Sequence, residues 1–221
     1  VSNRAPQRNL MEICTCVSPA LVITNRKKPD GYPGLSTAEL KTLCAGCPAD
    51  LPPDVLAIPN LANCSGGTTG KTKVIEQDMP AGESDEGLRT WFAVSGMRFE
   101  MRQLLAGPLF HGAPHSAAFN GLYCGNTLVM PAKLDAETIV RLIKKYRIEY
   151  VQMVPTLMQR ISRMPGFRKE DLASPEVLCH TGGVCSQDPK REWLQHLPPE
   201  RLYQMYAITH CHRMTSTAGT T

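Results

Sequence analysis

One short segment of the chain is rich in residue types that bind polyphosphates: Ser65-Gly66-Gly67-Thr68-Thr69-Gly70-Lys71-Thr72-Lys73. Glycines let the main chain turn freely, so its N–H groups can approach an anion closely. Serine and threonine hydroxyls add hydrogen-bond donors, and a lysine adds a positive point charge. A flexible Gly/Ser/Thr linker has a similar composition, but such a linker rarely ends in Lys-x-Lys-Val-Ile. The segment is therefore predicted to bind phosphate groups.

The end of this segment also fits a Walker A loop, which reads Gly-x-x-x-x-Gly-Lys-Ser/Thr. Gly70-Lys71-Thr72 matches its last three positions, but the first glycine would have to stand at Ser65. A Walker A lysine also opens a helix, whereas the run Lys73-Val74-Ile75 favours a strand. A P-loop NTPase is therefore the lesser alternative.

The elements that position these residues alternate between strands and helices. Besides the run at 73–75, strands are predicted at Ala20–Thr24, Gln103–Ala106, Thr127–Met130, Ile148–Val154, Val177–His180 and Leu202–Tyr206. Strand–helix–strand units of this length predict an α/β fold with parallel sheets flanked by helices.

The predicted helices have recognisable starting residues. A capping box of Ser36 and Glu39 opens a helix that ends near Gly46, and Asp135 caps a helix to about residue 146. Pro155 starts a helix to about residue 164, and Ser186 starts one to about residue 196. The proline-rich stretch 48–59 is predicted to be a surface connection. The stretch 76–95 is predicted to be a long loop with strand fragments.

Three later segments lie where parallel sheets bind ligands, at the carboxyl ends of predicted strands. They are Pro108-Leu109-Phe110-His111, Thr181-Gly182-Gly183-Val184-Cys185 and Tyr206-Ala207-Ile208-Thr209. The first presents an aromatic ring and an imidazole, and the glycines of the second let a flat purine pack against the main chain. A surface histidine at a turn and an ordinary strand–helix turn are the plain alternatives for these two segments.

The segment Ser65–Lys73 resembles the phosphate-binding signature of the adenylate-forming (AMP-binding) superfamily, Ser/Thr-Ser/Gly-Gly-Ser/Thr-Ser/Thr-Gly-x-Pro-Lys. Thr72 replaces the usual proline. The three later segments and Val154-Pro155-Thr156 resemble further motifs of the family and follow in the family's order. The resemblance covers roughly residues 20–209, and the part from 108 to 206 is most similar to fatty-acyl- or bile-acid-type CoA ligases.

The resemblance implies an ATP-dependent acyl-CoA synthetase, built on part of the family's large N-terminal domain. Small-molecule partners are implied: a fatty or bile-type carboxylic acid, ATP and CoA, with Mg²⁺ as the metal. The implied catalytic residues are Thr209, Lys73 and His111. The implied nucleotide-binding residues are Ser65, Gly66, Gly67, Thr68, Thr69, Gly70, Lys73, Gly182, Gly183, Val184, Tyr206 and Thr209. His111 and Phe110 would border the acyl tunnel.

Two departures from the family pattern stand out. His210 occupies the position of the family's Mg²⁺-binding glutamate, and an imidazole is a poor ligand for that hard cation. The family's Tyr/Trp-x-Ser/Thr-Gly-Asp motif and its C-terminal domain with a catalytic lysine are not found. Residues 1–221 are therefore expected to be an incomplete adenylation domain, with a subdomain boundary near 107–115 and little or no activity alone. A non-catalytic relative that binds only nucleotide or a partner is the alternative.

The composition fits an ordinary globular protein: 221 residues, 42% apolar and 20% charged, with a net charge of +4. Basic residues are scattered, so no nucleic-acid partner is predicted. The apolar runs are too short for a membrane span, and a cytoplasmic location is expected. No oligomeric state is predicted. Cys14-Thr15-Cys16 and Cys44-Ala45-Gly46-Cys47 could be zinc half-sites, but their wide separation favours ordinary thiols.

Overall fold

The computed structural model describes residues 5–50, 61–65, 73–77, 85–208 and 211–218. The chain divides into two compact units, Val1–Gly82 and Glu83–Thr221. Residues 107–115 lie inside the second unit, where a strand passes into a helix, and a subdomain boundary there stays a prediction. The greater part of the expected proline-rich connection at 48–59 lies outside the described residues.

The first unit contains two short strand pairs and two helices. Its elements are α1 (Gln7–Val17), β1 (Val22–Ile23), β2 (Gly34–Leu35), α2 (Thr37–Ala45), β3 (Leu61–Ser65) and β4 (Lys73–Gln77). β1 and β2 pair in parallel, whereas β3 and β4 form an antiparallel hairpin. A small core of Leu10, Cys14 and Val22 joins α1 to β1, with Tyr32 packed against it.

The expectation of a buried strand at Ala20–Thr24 is wrong in extent and burial. Only Val22–Ile23 is extended and paired, and the side chains of Leu21 and Ile23 are 45% and 51% exposed. The partner strand β2 is only two residues long, so only two residues of the apolar run pair with it. Val22 packs into the small core, whereas Leu21 and Ile23 face solvent.

The capping box that opens α2 is confirmed. The Glu39 N–H donates to Ser36 Oγ at 3.1 Å, and the Ser36 N–H donates to the Glu39 carboxylate at 2.6 Å. The hydrogen bonds from Ser36, backbone first, and the nearby Lys28 ammonium lower the pKa of Glu39 to about 2. The helix ends at Gly46, as the sequence predicts.

The second unit is an α/β sandwich. Its elements are α3 (Asp85–Ser95), β5 (Arg102–Leu105), α4 (Gly112–Tyr123), β6 (Thr127–Val129), α5 (Ala136–Tyr146), β7 (Tyr150–Met153), α6 (Pro155–Ser162), β8 (Val177–His180), α7 (Gln187–His196), β9 (Leu202–Ile208) and β10 (Cys211–Ala218). The strands form one sheet in the order β10-β9-β8-β7-β5-β6. All neighbours are parallel except β9 and β10. The predicted α/β class with a parallel sheet flanked by helices is confirmed.

Each face of this sheet carries its own hydrophobic core. Alternate strand residues such as Leu104, Val151 and Leu178 pack against α5, α6 and α7, where Trp193 is fully buried. The intervening residues, including Tyr150 and Cys179, pack against α3 and α4 on the other face. Because both faces are covered, the central strands are mostly apolar, and their polar residues Gln103, Gln152 and His180 are buried with them.

Three elements depart from the sequence-based expectations. The predicted loop at 76–95 is wrong, since β4 continues to Gln77 and α3 occupies Asp85–Ser95. The sequence predicts neither the helix α4 nor the strand β10, which pairs with β9 across Cys211–Ala218. Tertiary contacts rather than local sequence cues explain these elements, and the packing of α4 shows how.

A buried polar network holds α4 on the sheet. The Gln103 amide N–H donates to the carbonyl oxygen of Ala117 at 2.8 Å, and the Asn126 amide donates to Gln103 Oε1 at 3.2 Å. A Cβ atom at Gly121 would lie 2.0 Å from that Gln103 oxygen. The glycine therefore gives α4 its close approach to β5.

Candidate functional site at the carboxyl edge of the sheet

The strand order reverses between β5 and β7. β5 leads through α4 to β6 on one side, whereas β7 leads through α6 to β8 on the other. Open α/β sheets bind ligands outside the carboxyl ends of their strands at such a reversal. Here the two strand ends pass into Gly107 and Val154, and the turns that follow form the candidate site.

The turn between β8 and α7 presents its main chain openly. Gly182 has a φ of +77°, which favours glycine, and a Cβ atom there would lie 3.4 Å from Val154 Cγ1. A Cβ atom at Gly183 would lie 3.8 Å from Pro155 Cδ. Val184, the next residue, is 97% exposed. The predicted glycine turn therefore packs beside the junction of β7 and α6 and leaves an uncovered surface.

Tyr206 lies at the end of the neighbouring strand. β9 pairs with β8 as far as Gln204, opposite His180, so Tyr206 extends two residues beyond that pairing. Its ring is 66% exposed. The structure thus brings four of the predicted nucleotide-binding residues, Gly182, Gly183, Val184 and Tyr206, to the ends of two adjacent strands. Thr209 and His210 lie outside the described residues.

His111 caps the start of α4 after β5. Its N–H donates to the carbonyl oxygen of Pro108 at 3.1 Å, which closes the turn. The rings of Phe110 and His111 are 4.5 Å apart, and both side chains are exposed. A Cβ atom at Gly107 would meet Pro114 Cγ at 2.5 Å, so the glycine lets α4 begin directly at the strand end. An aromatic ring and an imidazole therefore stand at this edge, as predicted.

The strands β3 and β4 of the hairpin lie on either side of the predicted phosphate-binding segment in the sequence. Cys64 pairs with Val74, and Ser65 pairs with Lys73, whose side chain is exposed. The residues between them, which include Gly66, Gly67, Thr68, Thr69 and Gly70, lie outside the described residues. The strand predicted after the segment is confirmed. Because a Walker A loop passes into a helix at this point, β4 argues against a P-loop NTPase.

Gln152 is a polar residue at this edge that the motif analysis missed. It lies near the carboxyl end of β7, between Leu105 of β5 and Cys179 of β8, and is only 6% exposed. Its amide has no nitrogen or oxygen partner within the described residues, and the Cys179 thiol lies beside it. A glutamine within the apolar run 150–153 was the available signal. Burying an amide without a hydrogen-bond partner costs folding free energy. Such a buried, unpaired amide is typical of a group that binds a ligand or a water molecule.

His180 is a second residue that the motifs did not indicate. It ends β8 directly before the glycine turn and is buried, with no hydrogen-bond partner at Nε2 among the residues that the structure describes. Burial, together with the nearby Lys190 ammonium, lowers the pKa of His180 to about 4. The imidazole is therefore neutral in the folded chain at physiological pH.

We expect acid to destabilise the fold through His180. Its pKa falls from 6.5 in a solvated chain to about 4 in the fold, so between these values the unfolded state binds the proton and the native state does not. Stability is therefore present above pH 6.5 and is lost as the pH falls toward 4. Allowing for solvent screening, the loss attributable to this residue is roughly 2 kcal/mol. Urea unfolding across that pH range measures it.

The control for this measurement is His180→Leu, which keeps the volume and removes the titrating group. Over the same pH range, the free energy of unfolding of the variant should fall by roughly 2 kcal/mol less than that of the parent chain. Equal pH dependence in the two chains would contradict the assignment.

Neither a metal cluster nor a membrane span appears in the described part of the chain. No three His, Cys, Asp or Glu residues there are grouped to hold a metal ion. No described helix is long and apolar enough to cross a bilayer.

Comparison with known proteins identifies the class that this fold and site define. The family model described as AMP-binding enzyme matches residues 48–220. The chain therefore belongs to the AMP-binding enzyme family, as the resemblance of its motifs indicated.

Curated relatives of this chain are CoA ligases. The chain is 32% identical over 102 residues to 2-succinylbenzoate–CoA ligase of Bacillus pumilus, a match that covers 44% of this chain and 20% of the relative. It is 26% identical over 167 residues to 4-coumarate–CoA ligase CCL1 of Humulus lupulus, covering 72% of this chain and 29% of the relative. The chain thus spans less than a third of the length of either relative.

Solved structures share the fold. ATP-bound MatB from Rhodopseudomonas palustris superposes with a TM-score of 0.83 at 18% identity, covering 99% of this chain and 46% of that one. The inhibitor-bound N-terminal domain of FACL13 from Mycobacterium tuberculosis superposes with a TM-score of 0.79 at 19% identity, covering 95% of this chain and 56% of that one. The expectation of a fold from the N-terminal domain of an adenylate-forming enzyme is therefore confirmed.

Proposed function

We propose that this chain is part of an acyl-CoA synthetase, an enzyme that activates a carboxylic acid with ATP and transfers the acyl group to CoA. The observation that carries the proposal is the turn from β8 to α7, where Gly182 and Gly183 leave main chain uncovered beside the exposed Tyr206 ring. A flat purine fits such a surface, because glycines admit close approach and an aromatic ring stacks on a base. Membership of the AMP-binding enzyme family supports the same ligand.

The phosphate groups are assigned to the segment that joins β3 to β4. We assign the β- and γ-phosphates to main-chain N–H groups of residues 66–70, with hydroxyls of Ser65, Thr68 and Thr69. Lys73, exposed at the start of β4, supplies the positive charge. Thr209 is assigned to the α-phosphate. These roles follow the motif order of the family.

The acyl substrate is assigned to the edge beside His111 and Phe110. Leu109 and Phe110 are both about two-fifths exposed, and apolar surface left open at a ligand-binding edge favours an apolar acid. We propose a fatty or bile-type acid. A medium/long-chain fatty-acid–CoA ligase of Mycobacterium tuberculosis is among the relatives, at 30% identity over 149 residues.

The proposed reaction has two steps. The substrate carboxylate attacks the α-phosphorus of ATP, which gives acyl-AMP and releases pyrophosphate. The CoA thiolate then attacks the acyl carbon and displaces AMP. Neither step needs a nucleophile from the protein, so positioning and neutralisation of phosphate charge supply the catalysis. A cytoplasmic location, where ATP and CoA are abundant, fits this chemistry.

A non-catalytic relative is the second candidate, and His210 favours it. Mg²⁺ prefers oxygen ligands, and the family position for its carboxylate holds an imidazole here. The described residues contribute no acidic cluster that would replace it. The proposed reaction therefore assigns no step to a metal held by this chain.

Calorimetric titration with ATP and with a non-hydrolysable acyl-adenylate analogue tests nucleotide binding. Lys73→Ala should weaken ATP binding by about tenfold or more, the effect of losing one charge-assisted contact. Lys71→Ala is the matched control, since a P-loop site would lose affinity there instead. Tyr206→Ala should weaken the binding of both ligands, because both contain adenine. Equal affinities for the parent chain and all three variants would contradict the proposal.

Pyrophosphate release separates the catalytic candidate from the non-catalytic one. The longer protein that contains this chain is compared with its His210→Glu variant in the presence of Mg²⁺ and a fatty acid. Release above background in the parent protein, lost in Lys73→Ala, supports an active synthetase. ATP binding without release in either protein supports the non-catalytic relative.

A further inference from the structure

Two thiols stand together at the carboxyl end of α2, outside the motifs that the proposed function uses. Cys44 lies in the last turn of the helix, and Cys47 lies one residue beyond the C-cap Gly46. Both are free and exposed. The spacing Cys-x-x-Cys is typical of dithiols that close into a disulfide.

The local backbone geometry places the two cysteines at a Cα separation that a disulfide can span. The Cys47 N–H donates to the Cys44 carbonyl oxygen at 3.1 Å, which closes a four-residue turn. Residues joined by such a turn have Cα atoms less than about 7 Å apart, and disulfides span Cα distances of about 4.4–6.8 Å. The Cys47 thiol donates to the Leu43 carbonyl oxygen at 3.5 Å, so it points back toward the last turn of the helix.

The surroundings allow the small adjustment that bond formation requires. No residue of α2 is buried, so a shift of its last turn disturbs no core. Gly46, between the two cysteines, is the residue with the fewest backbone restrictions.

We propose that Cys44 and Cys47 form a reversible disulfide, a redox modification site at the end of α2. A low-molecular-weight disulfide such as oxidised glutathione is the oxidant. The thiolate of one cysteine attacks it, forming a mixed disulfide and releasing one glutathione thiolate. The second cysteine thiolate attacks the mixed disulfide, forming the Cys44–Cys47 bond and releasing the second glutathione thiolate. The protein loses two electrons and two protons, and the oxidant is reduced to two thiols.

The other described thiols provide internal references. Cys14, Cys124 and Cys179 are buried, and burial raises the pKa of Cys179 to about 12, which keeps that thiol unreactive. Cys16 is exposed but follows Cys14 by two residues on α1, so these two side chains point to different sides of the helix. Cys16 lies near the exposed Cys64. In a Cys64→Ser background, Cys16 therefore reports how an exposed thiol behaves without a partner thiol.

The test equilibrates the whole chain in glutathione buffers of increasing oxidised fraction, followed by acid quenching, alkylation and peptide mapping. A Cys64→Ser background leaves two cysteines in the tryptic peptide 42–71. We expect this peptide to lose two hydrogen atoms and carry no glutathione, at oxidant levels at least about tenfold below those that modify Cys16.

Single variants complete the test. In Cys44→Ser or Cys47→Ser the remaining thiol should retain glutathione as a stable mixed disulfide, at oxidant levels like those of Cys16. Glutathione on both cysteines of the paired chain, or a peptide that stays reduced while Cys16 is modified, would overturn the proposal. ATP binding is measured separately, so the outcome is independent of the proposed function.

Discussion

Replacing Trp193 with alanine is expected to lower the free energy of unfolding by about 3–5 kcal/mol, because a large buried side chain leaves a cavity that the core cannot fill. Trp193 lies on α7, and its indole is fully buried in the core between the sheet and the helices α5, α6 and α7. Its Nε1–H donates to the Met158 carbonyl oxygen at 3.2 Å, which ties α7 to α6. These two helices begin directly after the turns at Gly182 and Val154, so the same side chain positions the candidate site. Denaturant unfolding followed by circular dichroism measures the loss.

Trp91 provides the matched control. It is also buried, but its Nε1 has no hydrogen-bond partner within the described residues. Phenylalanine at either position removes similar volume, whereas only Trp193→Phe removes a hydrogen bond. Trp193→Phe should therefore be less stable than Trp91→Phe by about 1 kcal/mol. Equal losses in the two phenylalanine variants would show that the bond to Met158 contributes nothing.

Gly96→Ala is expected to destabilise the chain by about 2–4 kcal/mol, the sum of backbone strain and a steric clash. Gly96 follows α3 with a φ of +71°, where an alanine costs about 1–2 kcal/mol of backbone strain. A Cβ atom would also lie 2.7 Å from the ring of Tyr203 on β9, so the ring must move out of its packed position. The additional loss comes from that displacement. Thermal and denaturant unfolding of the variant measure the total.

Gly125→Ala isolates the steric part of this loss. Gly125 has a φ of +69°, close to that of Gly96, but a Cβ atom there would meet nothing within 4 Å. It should therefore lose only the backbone strain, about 1–2 kcal/mol. In a Tyr203→Ala background the excess loss at Gly96 should vanish, since the ring is gone. An excess that persists there would contradict the proposed clash.

Elements with strong local cues were predicted closely. β8 has the bounds expected for it, and Ser186 stands at the N-cap of α7. Asp135 caps α5 as expected, its carboxylate accepting a hydrogen bond from the Thr138 N–H at 2.8 Å. Capping residues and apolar periodicity act within one turn of the chain, so a single sequence contains the information.

Elements stabilised by distant contacts were not predicted. α4 contains Gly112, Pro114 and Gly121, which are weak helix formers. Its place is fixed by hydrogen bonds from the Gln103 amide to the Ala117 carbonyl oxygen and from the Asn126 backbone N–H to the Gly121 carbonyl oxygen. β10 forms by pairing with the free edge of β9. The sequence of β10 itself contains no local signal that predicts this pairing. Propensity is overridden in each case by contacts that only the folded chain reveals.

The candidate site shows the same division. The glycine turn at 182–183 and the aromatic residue at Tyr206 follow recognisable patterns, and the sheet brings them to neighbouring strand ends. Motif analysis does not find Gln152 and His180, because what distinguishes them is burial without a nitrogen or oxygen partner among the described residues. That property depends on three adjacent strands and the covering helices. Motifs indicate what a residue type can do, whereas burial decides which polar groups are left free to do it.

The strand order also has a consequence for synthesis on the ribosome. β6 emerges before β7 yet lies at the outer edge of the sheet, while β7 enters the middle, between β5 and β8. Until residues 150–153 leave the exit tunnel, the inner edge of β5 keeps its backbone N–H and C=O groups unpaired. A nascent chain from which β6 but not β7 has emerged therefore presents an open strand edge on β5, the kind of surface that chaperones bind and that strands of neighbouring chains can pair with.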